Sequence, residues 1–248
     1  MSNIMANREV CDLTLLDYAT KKPFMYIDYA NVTTNENQST SVFAKGGKGA
    51  PRRIRFDGEK VSTLTLETQM ITPELIAVLA GSQVITGQNV FKRKVLVSET
   101  ISESTSLTFP AGETPIEGTL AVYPAASDCM ESAAVQGTLS ANKFTFTTAA
   151  AADGEYVCYY QIAGDDSVKT IQYKSDSFPK EFVLYGDTVM KGEDGSLNGY
   201  QLHAYKAQPQ GSFKMGFQST GDPGTFSVTF DLLADADKNI LDYHLIEA

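Results

Sequence analysis

Three runs near the end of the chain decide its fold: FPKEFVLYGDTV (178–189), YQLHAYKA (200–207) and TFSVTFDLL (225–233). Apolar and polar residues alternate with a period of two in each run, and clusters of Gly, Asn, Asp and Pro separate the runs. In the last run Phe226, Val228, Phe230 and Leu232 share one face. This pattern is typical of antiparallel strands with one buried and one solvated face.

The same alternation predicts the faces of two neighbouring segments. In YQLHAYKA it places Tyr200, Leu202, Ala204 and Lys206 on one side of a strand. The segment GSFKMGF (211–217) predicts a further strand whose Phe213, Met215 and Phe217 lie on one face. None of these strands offers a nucleophile, a base and an orienting group together, so we interpret them as the wall of a structural protein.

The composition excludes several classes of function. The 248 residues carry a net charge of −10, which argues against a nucleic-acid-binding protein because phosphate binding needs a surplus of Lys and Arg. The chain has 13 Phe, 12 Tyr and no Trp, a composition that favours sheet over helix. We find no signal peptide and no apolar run of membrane-spanning length, and we expect a protein made in the cytoplasm without membrane insertion. The odd cysteine count predicts that Cys11, Cys129 and Cys158 are free thiols.

The first third of the chain predicts an arm, a long connection and one helix. Residues 1–22 indicate an extended arm or short strand, followed by a strand candidate after Pro23. The polar segment 31–58 is longer than compact domains usually tolerate, so we expect it to be disordered or ordered by a partner. The run ITPELIAVLAG (71–81) predicts a helix near 72–80, with Thr72 as N-cap and Gly81 at its end.

The middle of the chain predicts a β-rich insertion at 92–170. About five short strand candidates and a possible sixth follow one another between residues 90 and 174, a cadence typical of a sandwich. The segment from Asp153 to Cys158 is similar to the tyrosine corner of immunoglobulin-like domains, although the characteristic Trp and second Cys are missing.

No motif indicates catalysis, a cofactor or a metal. The Gly-rich segment 45–51 lacks the spacing of a phosphate-binding loop. Residues 235–246 lack the Gly and Glu that a calcium loop needs. The two histidines, His203 and His244, have no metal-ligand neighbour at a useful spacing in the sequence. We therefore predict no catalytic, cofactor-binding or metal residues, and no enzyme.

The order of features resembles that of the tail tube proteins of contractile-tailed bacteriophages. The resemblance lies in DLTLLDY (12–18), KKPFMYIDYAN (21–31), AKGGKGAPRRIRFDG (44–58), VSTLTLETQM (61–70), ITPELIAVLAG (71–81) and the strands of 199–233. It covers both ends of the chain and is weaker between residues 95 and 165. No single motif is diagnostic, and the specificity lies in the order of loop, strand, helix and final hairpins.

The resemblance implies a mainly β fold, with two packed antiparallel sheets of tail-tube type and the flanking helix, in one domain over 1–248. It implies hexameric rings that stack into the inner tube of a phage tail in the virion, through which DNA passes without specific binding. The implied partners are further copies of the chain, a sheath protein around the tube, and baseplate and terminator proteins at its ends. The alternative is a head decoration protein or another β-rich phage binding module.

Segment 31–58 is predicted to be a long loop between subunits. Its part from 42 to 58 combines cations and apolar residues within an acidic chain, and we expect it to dock onto the acidic surface of a neighbouring copy. The candidate docking residues are Val42, Phe43, Lys45, Lys48, Arg52, Arg53, Ile54, Arg55 and Phe56. The resemblance implies that this loop and the arm 1–22 make contacts between rings.

Overall fold

A computed structural model describes residues 4–101, 104–148, 153–217 and 219–246. Strands dominate it. In chain order the elements are β1 Met5–Asn7, β2 Asp12–Asp17, β3 Pro23–Ile27, β4 Val32–Lys45, β5 Arg52–Thr68, α1 Pro73–Leu79, β6 Val84–Thr86, β7 Val90–Val97, β8 Glu99–Ile101, β9 Ser104–Thr108, β10 Ala121–Pro124, α2 Asp128–Glu131, β11 Gly137–Ser140, β12 Lys143–Phe146, β13 Glu155–Ile162, β14 Lys169–Ile171, β15 Phe182–Gly192, β16 Leu197–Pro209, β17 Phe226–Leu233 and β18 Leu241–Ile246.

The chain divides into two compact units. The first unit comprises Met1–Gln83 and Ile171–Ala248, and the second comprises Val84–Thr170. The sequence predicts one domain over 1–248 with a β-rich insertion at 92–170. The second unit begins eight residues before that predicted insertion.

The first unit is built on a nine-stranded antiparallel sheet that folds over itself. Its main strand order is β3-β2-β15-β16-β17-β5-β4, and β1 and β18 pair with β15 and β16 respectively. Leu15 of β2 and Leu66 of β5 belong to one buried cluster. Four strand spacings separate those two strands along the sheet, which is about 19 Å in a flat sheet. The sheet therefore forms two packed layers, and this confirms the mainly β prediction.

Strand β16 belongs to both layers. Its residues Gly199–Ala204 pair with β18, whereas Lys206–Pro209 pair with β17. The first layer thus consists of β3, β2, β1, β15, β18 and the start of β16, and the second layer consists of the end of β16 with β17, β5 and β4.

A bulge in β16 corrects the predicted faces of YQLHAYKA. Phe182 pairs with Ala207 and Leu184 pairs with Ala204, so three residues of β16 span two residues of β15. Leu202 and Ala204 point into the core as predicted, but beyond the bulge Ala207 is buried in place of Lys206. A bulge inserts one residue and shifts the alternation by one position.

The helix and the strand at 225–233 match their predictions. Helix α1 has Thr72 as N-cap, whose hydroxyl accepts from the Leu75 N–H. Its end is a Schellman motif in which the N–H groups of Gly81 and Ser82 donate to the carbonyls of Val78 and Ala77. In β17 the predicted face is buried throughout.

The predicted strand at 211–217 is wrong. These residues form no strand, although Phe213 still packs edge-on against Phe226. A strand needs a free neighbouring edge, and in the described residues β17 already pairs with β16 and β5. The alternation over seven residues reflects the partial burial of Phe213, but alternation alone does not provide a strand with which to pair.

Segment 31–58 is part of a hairpin rather than an irregular loop. Strands β4 and β5 pair from Val32 opposite Glu67 to Lys45 opposite Arg52, with shifts of register between Ser39 and Ser41 and between Ala44 and Lys45. The expectation of a segment that needs a partner for its order is corrected, because the hairpin satisfies its own backbone hydrogen bonds. The arm forms β1 and β2, and β1 pairs with β15 of the same chain.

The second unit is a β-sandwich. A three-stranded sheet, β10-β13-β7, packs against a four-stranded sheet, β11-β12-β9-β8, around one buried cluster that includes Leu107, Phe144 and Tyr160. β6 and β14 form a separate two-stranded sheet. The two-sheet architecture is that of immunoglobulin domains, but the strand order differs, because the first strand of this sandwich pairs directly with its last.

Candidate assembly surface

The outer half of the β4–β5 hairpin projects from the first unit. β17 pairs with β5 only between Ser62 and Thr68, so the described part of the chain gives the hairpin no third strand beyond Ser62. Asn37 of β4 pairs with Ser62, and Lys45 lies eight positions beyond Asn37 along the strand. At the rise of an antiparallel strand this projection is about 27 Å long. All residues from 51 to 60 are exposed.

One face of this projection is apolar. Val42 pairs with Phe56 and Ala44 pairs with Ile54, which places all four side chains on the same face. Val42 is 70% exposed, Phe56 58% and Ile54 57%. Two-stranded ribbons exposed on both sides are marginally stable in water, and an exposed apolar face marks an interaction site. We call these four residues the apolar hairpin face.

The structure separates Phe43 from the other predicted apolar anchors. Phe43 pairs with Arg55 on the opposite face, and the guanidinium of Arg52 lies 4.3 Å from the centre of its ring. Arg55 forms an ion pair with Asp57, with 2.6 Å between Nε and Oδ1. Arg55 is thus partly neutralised within its own strand, which leaves less of its charge for a partner.

The remaining predicted docking cations lie at the hairpin tip. Lys45, Lys48 and Arg53 are exposed. The tip turn is closed by hydrogen bonds from the Gly46 N–H to the Pro51 carbonyl and from the Ala50 N–H to the Gly47 carbonyl. The Gly-rich segment therefore forms the turn of a hairpin, and the hairpin carries positive charge at its end in a chain of net charge −10.

The solvent side of the first layer carries a patch of polar side chains. Cross-strand pairs connect its strands, with Tyr185 between Thr14 and His203, and Asp187 beside Gln201. We call this surface the polar face; it consists of Asp12, Thr14, Tyr26, Tyr185, Asp187, Gln201, His203, Tyr205, Asp242 and His244. These ten residues include three carboxylates and neither Lys nor Arg, and Lys191 lies four positions beyond Asp187 on the same side of β15.

Hydrogen bonds hold side chains of the polar face in place. The hydroxyl of Tyr26 donates to Asp12, and the amide of Gln201 donates to Asp187 over 2.8 Å. Burial, followed by the hydrogen bond to Asp12, raises the pKa of Tyr26 above its usual value. The pKa of Tyr205 is raised chiefly by its hydrogen bond to Asp242. Both phenols therefore stay neutral at ordinary pH, and the carboxylates supply the charge of this face.

Sequence reasoning missed a group on the polar face. One ligand atom from each of His203, Asp242 and His244 lies within 4.8 Å of the others. The sequence gives no strand prediction at 241–246, so it does not indicate that His203 lies near Asp242 and His244. Pairing of β18 with β16 brings Asp242 opposite His203 across 39 positions of sequence.

Four strands of the first unit have an open edge. Among the described residues, β1, β3, β4 and β18 each pair with a strand on one side only. Unpaired strand edges are templates for pairing with another chain.

The segment 235–239, whose sequence lacks the features of a calcium loop, is a turn in which Asp235 Oδ1 accepts from the Asp237 and Asn239 N–H groups.

Comparison with known protein families decides the classification. The model of the YomU/Tube protein family matches residues 7–246. The chain belongs to the YomU/Tube protein family. The family name indicates a phage tube protein, which is a structural component of the virion tail. None of the curated proteins compared with the chain matches it. In the part of the chain that the structure describes, no helix has the length and apolar character of a membrane span.

Proposed function

We propose that this chain of the YomU/Tube family assembles into hexameric rings that stack into the inner tube of a contractile phage tail and convey DNA. The observation that carries the proposal is the projecting hairpin, which combines an exposed apolar face with a cationic tip. The protein works without catalysis, because its task is to form and maintain a wall.

The hairpin has the chemistry of a contact between subunits. Burying the apolar hairpin face stabilises a contact by about 25 cal/mol for each Å² of apolar surface removed from water. Exposed ion pairs contribute about 0 to 1 kcal/mol each, so the cations mainly orient the contact and accelerate encounter. The acidic remainder of a second copy is the complementary surface. Since the hairpin is already paired with itself, docking does not require a disordered segment to fold.

The polar face has the properties of a channel wall for DNA. Its charge comes from Asp12, Asp187 and Asp242, and carboxylates repel the phosphate groups of a passing duplex. Its hydroxyl, amide and imidazole groups keep the surface hydrated. We therefore place the polar face towards the lumen of the ring, where DNA passes without specific binding.

The open edges of the sheet suit closure into a ring. Pairing of strand edges between neighbouring protomers removes the exposed templates that otherwise lead to aggregation. A separate sheath protein would then surround the tube, and baseplate and terminator proteins would occupy its ends.

Electron microscopy and sedimentation of the purified full chain test this proposal. The tube model predicts rings or stacked tubes that form without other phage proteins, with the assembled fraction rising with concentration. A protein that remains monomeric or trimeric at high concentration supports the alternative, a head decoration protein or another β-rich binding module. The second unit, a complete sandwich, would then be the binding module.

A further inference from the structure

The cluster of His203, Asp242 and His244 lies where the C-terminal strand meets the rest of the first layer. β16 supplies His203, and β18 supplies Asp242 and His244. All three side chains lie on the polar face because His203 is directly opposite Asp242 and His244 is two positions along the same strand. Strand β18 has no second neighbouring strand among the described residues, so this group lies at a sheet edge.

The surrounding side chains hold two of the three groups in place. The His203 ring stacks on Tyr185 with 4.4 Å between ring centres, and Tyr205 contacts it at 4.3 Å. The Tyr205 hydroxyl donates to Asp242 Oδ2, which orients the carboxylate. A carboxylate has a second oxygen with which to bind a cation. Outer partners of this kind are typical of protein metal sites.

The donor set is that of a transition-metal site. Two imidazoles with one carboxylate suit Zn²⁺, Ni²⁺ or Co²⁺, whereas Ca²⁺ and Mg²⁺ require mainly oxygen ligands. Metal–nitrogen and metal–oxygen bonds in zinc sites are about 2 Å long, so the three ligand atoms need to approach one another by roughly 1 Å. His244 is exposed and can rotate to make this adjustment.

We propose that His203, Asp242 and His244 bind one divalent transition-metal ion, with zinc as the reference ion, and that this ion fastens strand β18 to β16. The ion is held by two strands of one protomer, so the inference does not depend on the proposed tube.

Zinc titration of the full chain, prepared without a histidine tag, tests the site by competition with a chromophoric chelator. We expect about one Zn²⁺ per chain. His244→Gln removes an exposed ligand and should weaken binding by more than 100-fold. Tyr205→Phe keeps all three ligands and removes an outer partner, which should weaken binding by about 10- to 100-fold. Asp187→Asn makes a matched change of charge on the same face and should leave the affinity unchanged.

Two further readouts keep the test independent of assembly and folding. The chain has two histidines, so both sets of imidazole NMR signals must shift together when one equivalent of Zn²⁺ is added. The melting temperature of the wild type should rise with zinc, and that of His244→Gln should not. No zinc binding by the folded wild type, or equal affinities for the wild type and His244→Gln, overturns the proposal.

Discussion

At the scale of single residues, one tyrosine connects the core of the second unit to a surface ion pair. Tyr160 is fully buried, and its ring packs edge-on against Phe109. Its hydroxyl donates to Glu113 Oε2 over 2.7 Å, and Lys94 Nζ lies 2.9 Å from the same oxygen. The Lys94 and then the Tyr160 hydrogen bonds lower the pKa of Glu113. Burial, followed by Glu113, raises the pKa of Tyr160.

Replacing Tyr160 by Phe should lower the free energy of unfolding of the second unit by about 1 to 2 kcal/mol at neutral pH, because a hydrogen bond to a charged group is lost. The pKa of Glu113 is lower in the folded than in the unfolded state. Glu113 therefore stabilises the second unit above its unfolded pKa of about 4.3, and this stabilisation is lost as the pH falls through the folded-state pKa. The difference between Tyr160→Phe and wild type should therefore narrow below about pH 4. Urea unfolding across pH measures it, with the partly exposed Tyr156→Phe as control. A difference that widens in acid contradicts this account.

The three cysteines should differ sharply in reactivity. All three are free, and burial raises the pKa values of Cys11 and Cys158 to about 12. Cys129 is exposed. Because the thiolate is the reactive form, iodoacetamide should modify Cys129 first in the native protein. Intact-mass spectrometry over time would show one fast addition, which Cys129→Ser should abolish. Fast modification of the remaining thiols in native Cys129→Ser would contradict the predicted burial.

At the scale of elements, the sequence predicts those structures that are determined by residues close together in the chain. Helix α1 is bounded by an N-cap and a glycine that the sequence displays, and β17 follows its alternation. The bulge in β16 and the pairing of β18 with β16 depend on contacts between distant segments, so alternation alone misplaced Ala207 and missed the histidine cluster. Composition indicates the docking residues, but only strand pairing shows that Phe43 lies on the opposite face from Val42 and Phe56.

The end of helix α1 should tolerate no side chain at Gly81. Its φ is 63°, and a Cβ there would lie 2.4 Å from the backbone of Phe178. Gly195 also has positive φ, 88°, but no atom lies within 4 Å of its Cβ position. Gly195→Ala should therefore cost about 1 kcal/mol from backbone strain alone. Gly81→Ala adds a clash with backbone, so we expect about 3 kcal/mol from urea unfolding. Equal losses for the two variants would contradict the close packing at Gly81.

Changes in the hairpin should impair assembly without changing the stability of the folded protomer. The triple variant Arg52→Glu, Arg53→Glu, Arg55→Glu and the single variant Phe56→Asp should both unfold like the wild type but assemble poorly, because all four residues are exposed. Salt tests the contribution of the cations. Because salt screens their attraction to the acidic surface of a second copy, wild-type assembly should slow as the salt concentration rises. Lys143→Glu, a change on the second unit, reverses one charge and is the control for a single Arg→Glu change of the triple variant. Sedimentation of matched samples measures the assembled fraction, and triple-variant tubes that form as readily as wild-type tubes reject the docking role.

At the scale of the whole molecule, the features on the first unit form a consistent set. The hairpin extends an apolar face and cations away from an acidic body, the polar face gathers three carboxylates, and open edges border the sheet. Each feature is exposed in the isolated chain, and each would have a role in the stacked ring that we propose. Membership of the YomU/Tube family agrees with this structural role.

A cryo-electron microscopy reconstruction of assemblies formed by the purified chain tests the central claim most directly. Our account predicts six protomers per ring, residues 42–56 of each hairpin packed against a neighbouring copy, and the polar face lining the channel. A reconstruction in which the hairpin stays in solvent and the polar face points outward would contradict it.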